Sequence, residues 1–263
     1  STVISIGDDA FFDCTGLAGI EVHPLNPLYS SFEGVLFSKT GSTLIQYPPG
    51  KAGSYIVPER VFKIERSAFS LCTNLASIVI PISVTSIGDR AFSYCSGLPG
   101  ITIPNSVTSV GNGAFEGCTG LTSVAIGNGV TSIAESAFSN CAGLTSVTIG
   151  SGVTRIERVA FSSCKSLASI VIPDSVTSIA ESAFSGCSGL TSVTIGNGVT
   201  KIPQHAFSGC NGLTSMVIPD NVTSIGEFMF GDCTSLTKIT IPAGVTSIRD
   251  GMFQSCTSLT GVY

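Results

Sequence analysis

Charge is what this chain has least of. Lys, Arg, Asp and Glu together make up 11% of its 263 residues, less than half the share of an ordinary soluble domain. The net charge is −5, with 12 Lys and Arg in all. There is therefore no basic footprint for nucleic-acid phosphates. Tryptophan is absent, and the two histidines, His23 and His205, lie far apart in sequence, so no Ser-His-Asp constellation can be assembled. No Gly-x-Gly-x-x-Gly loop follows a strand, and no phosphate-loop lysine motif is present. No apolar run approaches the ~18 residues that cross a bilayer. No signal peptide is visible, as holds for a mature or excised segment. An enzyme has no residues to carry it, and no cofactor or metal site is expected.

What is abundant is cysteine, and it is periodic. From Cys72 a cysteine returns every 23 residues through Cys95, Cys118 and so on to Cys256. Phe stands three positions before each of these (Phe69, Phe92 … Phe253) and Leu three after (Leu75, Leu98 … Leu259). A fixed period of this length means a solenoid with one coil per repeat. Ten cysteines in a short secreted chain would suggest a disulfide framework. Here each occupies the same phase of its coil, so the side chains point the same way in a column. Parallel Cβ vectors are wrong for a bridge, and one Cys per coil does not converge on a zinc ion. The expectation is a buried thiol column, with Cys acting as a small hydrophobe.

One coil can be read residue by residue. Val193 and Ile195 alternate with Ser192 and Thr194, the period-2 pattern of a strand with one buried face. Gly196-Asn197-Gly198 breaks the strand, at a place held by Pro81, Pro104, Pro173, Pro219 or Pro242 in other coils. Val199 and Ile202 anchor a second short extended segment. The Ala-Phe-x-x-Cys stretch predicts one or two turns of helix, with an acidic residue such as Asp89 suited to its N-terminus. About seven side chains per coil point inward, each forming a column.

The unit LTSVTIPxxVTSIGxxAFxxCxx resembles the BspA-like branch of leucine-rich repeats, and the resemblance covers nearly the whole chain. It implies a leucine-rich-repeat solenoid of 23-residue coils with a parallel β-sheet on the concave face. Short second strands and helical turns would lie on the convex side. It also implies an extracellular or cell-surface protein, as found in bacteria and protists, that serves adhesion and protein–protein contact. As a single domain the chain divides into a first coil (1–22), an enlarged unit (23–56) and regular coils (57–263). The enlargement follows from Cys14 to Cys72, which is 58 residues, or 23 plus 35. Within it, Gly34–Phe37 and Leu44–Pro48 flank Lys39-Thr40-Gly41-Ser42, the signature of a β-hairpin. That hairpin should project from the solenoid wall, with Tyr29, Phe37 and Tyr47 as its interaction residues.

Other surface positions have weaker signals. Glu135, Arg158 and Glu181 alternate in sign in neighbouring coils, which reads as an exposed ion-pair ladder worth little per pair. A calcium site between Glu227 and Asp250 lacks the six or more oxygens that ion wants. The outward strand column Val79, Thr102, Ala125, Thr148, Val171, Thr194, Val217, Thr240 carries none of the Tyr, Trp or Arg anchors of a specific protein interface, so this face either binds something flat and repetitive or is not the main interaction surface. Asn221-Val222-Thr223 is the one N-glycosylation sequon, placed in a turn expected to be exposed. Attached glycans are therefore among the expected partners, along with other proteins or a second copy of the chain. Neither end shows a polar cap, so the chain is read either as part of a longer solenoid or as a unit that stacks head-to-tail into an extracellular filament. Ile4, Ile6, Phe11, Leu259, Val262 and Tyr263 would make that end-to-end contact.

Overall fold

The computed structural model describes residues 2–263. It is a β-solenoid whose coils follow one another at 23-residue steps. Each regular coil has three sides: a strand of three to five residues, a two-residue strand, and a strandless turn. Ser123–Ile126 illustrates the first kind, pairing in parallel with both Gly100–Ile103 and Ser146–Thr148. Ser132–Ile133 illustrates the second, pairing with Arg155–Ile156. Partners differ by 23 in both columns, because one coil is one period.

The coil from Ala91 to Val110 shows where the core comes from. Ala91, Phe92, Cys95, Leu98, Ile101, Ile103, Val107 and Val110 are all buried. These columns run on from coil to coil as one continuous core. The phenyl rings form its spine. From Phe69 to Phe207 consecutive centroids are 4.7 to 5.4 Å apart and nearly parallel. No coil could bury these rings alone, and each aliphatic neighbour adds roughly 1.5–3 kcal/mol by leaving water.

The Ala-Phe-x-x-Cys stretch is not helical, contrary to the expectation from sequence. Two residues in each coil take the left-handed conformation, one just before Ala-Phe and one just before Cys. In one coil these are Val159 (φ 49°) and Ser163 (φ 61°). Alternate N–H groups then point along the stack rather than back along the chain. Val159, Phe161 and Ser163 donate to the carbonyls of Glu181, Ala183 and Ser185 in the next coil. A five-residue helix would bear the full nucleation cost, whereas this arrangement satisfies the same donors between coils. The equivalent of the expected helix-capping acid is Asp89, whose Oδ1 instead accepts the N–H of Asn112 one coil on, at 2.8 Å. The backbone bonds of the turn run from N–H toward the C-terminal neighbour, whereas the Asn112 bond runs back toward the N-terminal one.

The enlarged unit does not project. β1 (Tyr29–Phe32), β2 (Val35–Ser38) and β3 (Thr43–Gln46) form an antiparallel meander. Glu33 and Gly34 turn the first hairpin with φ of 50° and 76°, the geometry of a two-residue type I′ turn. β3 then pairs in parallel with β5 (Lys63–Ile64), so the meander extends the column of two-residue strands. β4 (Gly53–Ile56) likewise pairs with β6 (Leu75–Val79) on the long-strand side. Parallel register thus begins at Thr43. Val35, Leu36, Phe37, Leu44 and Tyr47 are fully buried. Val35, Phe37, Leu44 and Tyr47 have joined the core, which is why the insert lies along the wall.

Tyr47 takes the place that Phe occupies in later coils. Its ring stacks on Phe69 at 5.1 Å, and its N–H bonds the Ala68 carbonyl as the Phe69 N–H bonds that of Ala91. The first coil is displaced by this substitution. It contains no strand among its described residues, Cys14 and Ile4 are exposed, and Phe11 and Leu17 are half-buried.

Candidate interaction surface

The long-strand side presents two outward columns to solvent. Register places Ser123 beside Ser146 and Ala125 beside Thr148. Ser169 lies beside Ser192, and Val171 beside Thr194. The last strands set Ser215 beside Lys238 and Val217 beside Thr240. Lys238 is the single charge among these. Ile56, Val79, Val171 and Val217 are 70, 54, 62 and 80% exposed. Gly100 has no side chain, and the face dips there into a shallow trough of about 500 Å³ reaching from Val79 to Thr148.

The threonines that precede several of these strands are not free to bind. Thr145 Oγ1 donates to the Thr122 carbonyl at 2.9 Å, Thr191 to Ala168 at 3.0 Å and Thr260 to Thr237 at 3.0 Å. These hydroxyls form a ladder that holds neighbouring coils together. No motif in the sequence marks them, because a threonine on a strand has the same spacing whichever way its hydroxyl turns.

Charge is concentrated at a different place, the corner between the two-residue strands and the turn. The column there reads Arg66, Asp89, Asn112, Glu135, Arg158, Glu181, Gln204, Glu227, Asp250. Arg158 pairs with Glu135, and Arg155 with Glu157 at 3.0 Å. The expected continuation from Arg158 to Glu181 is not among the described ion pairs. Among the described residues, no group of three or more His, Cys, Asp and Glu side chains is placed to hold a metal ion. Glu227 and Asp250 therefore gain no further ligand.

The thiol column does more than fill space. Cys95, Cys118, Cys141 and Cys187 each donate to the carbonyl of the Phe in the preceding coil, at 2.9 to 3.1 Å. That carbonyl already accepts the N–H of its own coil's Cys, as Cys95 to Phe92 at 3.2 Å shows. All ten cysteines are free thiols. Burial pushes the Cys233 thiol up to about 12 and raises those of Cys95 and Cys210 well above their ordinary value. These side chains are protonated and inert rather than reactive.

These coils identify their family. The model of the BspA type leucine rich repeat region, in six copies, matches residues 47–168 and 154–263. The chain belongs to the BspA-type leucine-rich repeat family. The match begins at Tyr47, where the aromatic column begins. A solved leucine-rich cell surface protein from Faecalibacterium prausnitzii is 28% identical, with a TM-score of 0.58 over 90% of this chain and 86% of that one. A leucine-rich repeat protein from Eubacterium ventriosum is 27% identical, with a TM-score of 0.66 over 95% of this chain. The chain spans 59% of that protein. No curated protein sequence matches.

Within this BspA-type solenoid the residues singled out from sequence fall in different environments. Phe37 and Tyr47 are core residues and offer no contact surface, whereas Tyr29 is half-buried. Ile4, Val262 and Tyr263 are exposed, while Ile6, Phe11 and Leu259 are half-buried. Asn221 does sit in a turn, but its side chain faces the preceding coil. Its Nδ2, the atom a glycan would join, donates to the carbonyls of Asn197 at 2.7 Å and Val199 at 2.9 Å, and its Oδ1 is buried without a partner. No helix is long and apolar enough to cross a membrane among the described residues. The one signal for the first-ring role of Tyr47 is its spacing of 22 from Phe69, one short of the period.

Proposed function

We propose that this chain is a non-enzymatic, extracellular repeat scaffold that acts in adhesion by laying its long-strand side, which has no aromatic or Arg anchor, against a flat, repetitive protein surface. The observation that carries this reading is the chemistry of that side: an uninterrupted, nearly uncharged surface of small hydroxyl and aliphatic groups. Val79, Val171 and Val217 stand exposed on it. Desolvating such a surface costs little, because it carries almost no charge to strip of water. The rigid core beneath it keeps its shape fixed before contact, so little ordering entropy is lost on binding. Support for the location comes from the likeness to a bacterial leucine-rich cell surface protein.

The test is adhesion of beads coated with the chain to epithelial cells and to immobilised matrix proteins. Val171→Asp and Val217→Asp place carboxylates on the face without touching the core. Both should lower adhesion at least tenfold with unchanged thermal unfolding. Adhesion that survives the double variant overturns the assignment to this side.

A further inference from the structure

A second surface lies at the N-terminal end of the solenoid, on the side of the two-residue strands. Residues 6–11 line one side of an open cleft of about 520 Å³ there, within the range of small-molecule sites. Ser86, Gly88, Ser109 and Gly111 line its floor. Here the wall carries only Ser and Gly, between Lys63 and Glu65 on one side and, two coils further on, Arg155 and Glu157 on the other.

The walls are held in place. Asp9 is fixed to the floor at both oxygens, accepting from Ser67 Oγ at 2.8 Å and pairing with Arg66 at 3.5 Å. Asn26 is buried, and its Nδ2 donates to the Val3 carbonyl at 2.9 Å. Its Oδ1 accepts the N–H groups of Leu28 and Tyr29, both at 2.9 Å. One amide thus fastens the crossing segment and presents Tyr29 to the cleft. A cleft built this way loses little freedom on binding.

Its free groups define the ligand. Lys63 and Arg66 are already paired, with Glu65 and Asp9. Among the described residues, Asp8 makes no hydrogen bond or ion pair, and neither does the Tyr29 hydroxyl. Asp89 commits one oxygen to the Asn112 N–H and keeps the other. The uncancelled charge is therefore negative, which disfavours phosphates, sulfates and acidic sugars. The unused hydrogen-bonding capacity consists of carboxylate acceptors and hydroxyls. Ile6, Phe11, Ile45 and the Tyr29 ring supply an apolar side to the same space. A ring with an apolar C–H face and a rim of hydroxyls matches this pairing, each carboxylate accepting from adjacent hydroxyls. We propose that the cleft formed by Asp8, Tyr29, Asp89 and the Ser86/Ser109 floor binds a neutral oligosaccharide. This site is separate from the long-strand side, so the failure of either assignment leaves the other standing.

The experiment is a glycan array bearing neutral and anionic oligosaccharides, probed with the fluorescently labelled full chain. It is followed by calorimetric titration of the strongest ligand. A neutral glycan should be retained and the anionic ones excluded. Asp8→Asn and Tyr29→Ala, both away from the core, should each weaken binding about tenfold, the loss expected for one charge-assisted hydrogen bond or one ring contact. Val171→Asp should leave it unchanged. Retention of only anionic glycans, no saturable binding to any glycan, or neutral binding indifferent to both cleft variants would each overturn the assignment. So would displacement of the glycan by a lysine-rich peptide with higher affinity, which would make the cleft a cation site.

Discussion

Residues 2–56 and the regular coils contain the same kinds of residue and do different things with them. Phe11, Cys14 and Leu17 keep the spacing of Phe69, Cys72 and Leu75. Yet Cys14 is exposed and Phe11 half-buried, whereas Phe69 and Cys72 are fully buried. The difference is what lies on either side. A Phe in a middle coil is covered above and below by other phenyl rings, and its carbonyl accepts the thiol of the next coil. Phe11 has no such neighbour, because the meander brings Tyr47 under Phe69 instead. In a solenoid, burial belongs to a position in the stack more than to a residue in a motif.

The sharpest way to break this comparison is to truncate the rings. Phe161→Ala should cost about 3–5 kcal/mol, and Tyr47→Ala a similar amount, because both sit in the same column. Phe11→Ala should cost about 1 kcal/mol or less, in keeping with its partial burial. Urea unfolding of the three variants measures this directly. A Phe11 loss as large as that at Phe161 would show that the first coil is part of the cooperative stack.

The thiols give a test by pH. The Cys233 thiol titrates at about 12 when folded, against an ordinary value near 9 when unfolded. Between these values the unfolded chain has lost a proton that the folded chain retains. Its contribution is therefore complete below about pH 9 and falls as pH rises toward 12, by about 1.4 kcal/mol per pH unit. Denaturant midpoints measured from pH 8 to 11 should drop steeply above 9, and Cys233→Ala should flatten the drop. At neutral pH a thiol reagent should label Cys14 quickly and the column thiols only on unfolding.

Smaller effects distinguish backbone from surface. Val159 is a β-branched residue in the left-handed region, where such residues are strained by roughly 1–2 kcal/mol. Val159→Gly should raise stability by about 1 kcal/mol in thermal unfolding, the relief exceeding the glycine's added unfolded-state entropy. The reverse holds at Gly117, where an added Cβ would lie 2.5 Å from the Tyr94 ring. The exposed pair of Arg158 and Glu135 should matter least. Arg158→Ala should cost under about 1 kcal/mol, and less still in high salt.

The repeat was legible because each of its anchors recurs at one spacing. Phe, Cys, Leu, Val and Ile at fixed phases predict columns, and the columns exist. The turn was misread as helix because Ala-Phe-x-x-Cys is locally compatible with one. Nothing in five residues reveals that their N–H groups will find carbonyls in the coil above. The insert was correctly read as hairpin-forming, but its direction was not, since Val35, Leu36 and Phe37 look alike whether they cover a core or a partner. Asn221 shows the same gap at the candidate surfaces. The sequon and the turn could be read, while the inward orientation of its amide depends on Asn197 and Val199 one coil away.

The sequence by itself determined the period, the inward columns and the near-neutral outer face. Each is a property of one coil repeated, and hydrophobic burial follows composition and spacing. Only the tertiary structure decided which coil is the first in the stack, where the backbone donors of the turn go, and that residues 6–11 line a cleft with Tyr29. These depend on contacts between different coils, about one period or more apart in sequence. There, hydrogen-bond geometry and side-chain direction select among arrangements that the pattern alone leaves equal.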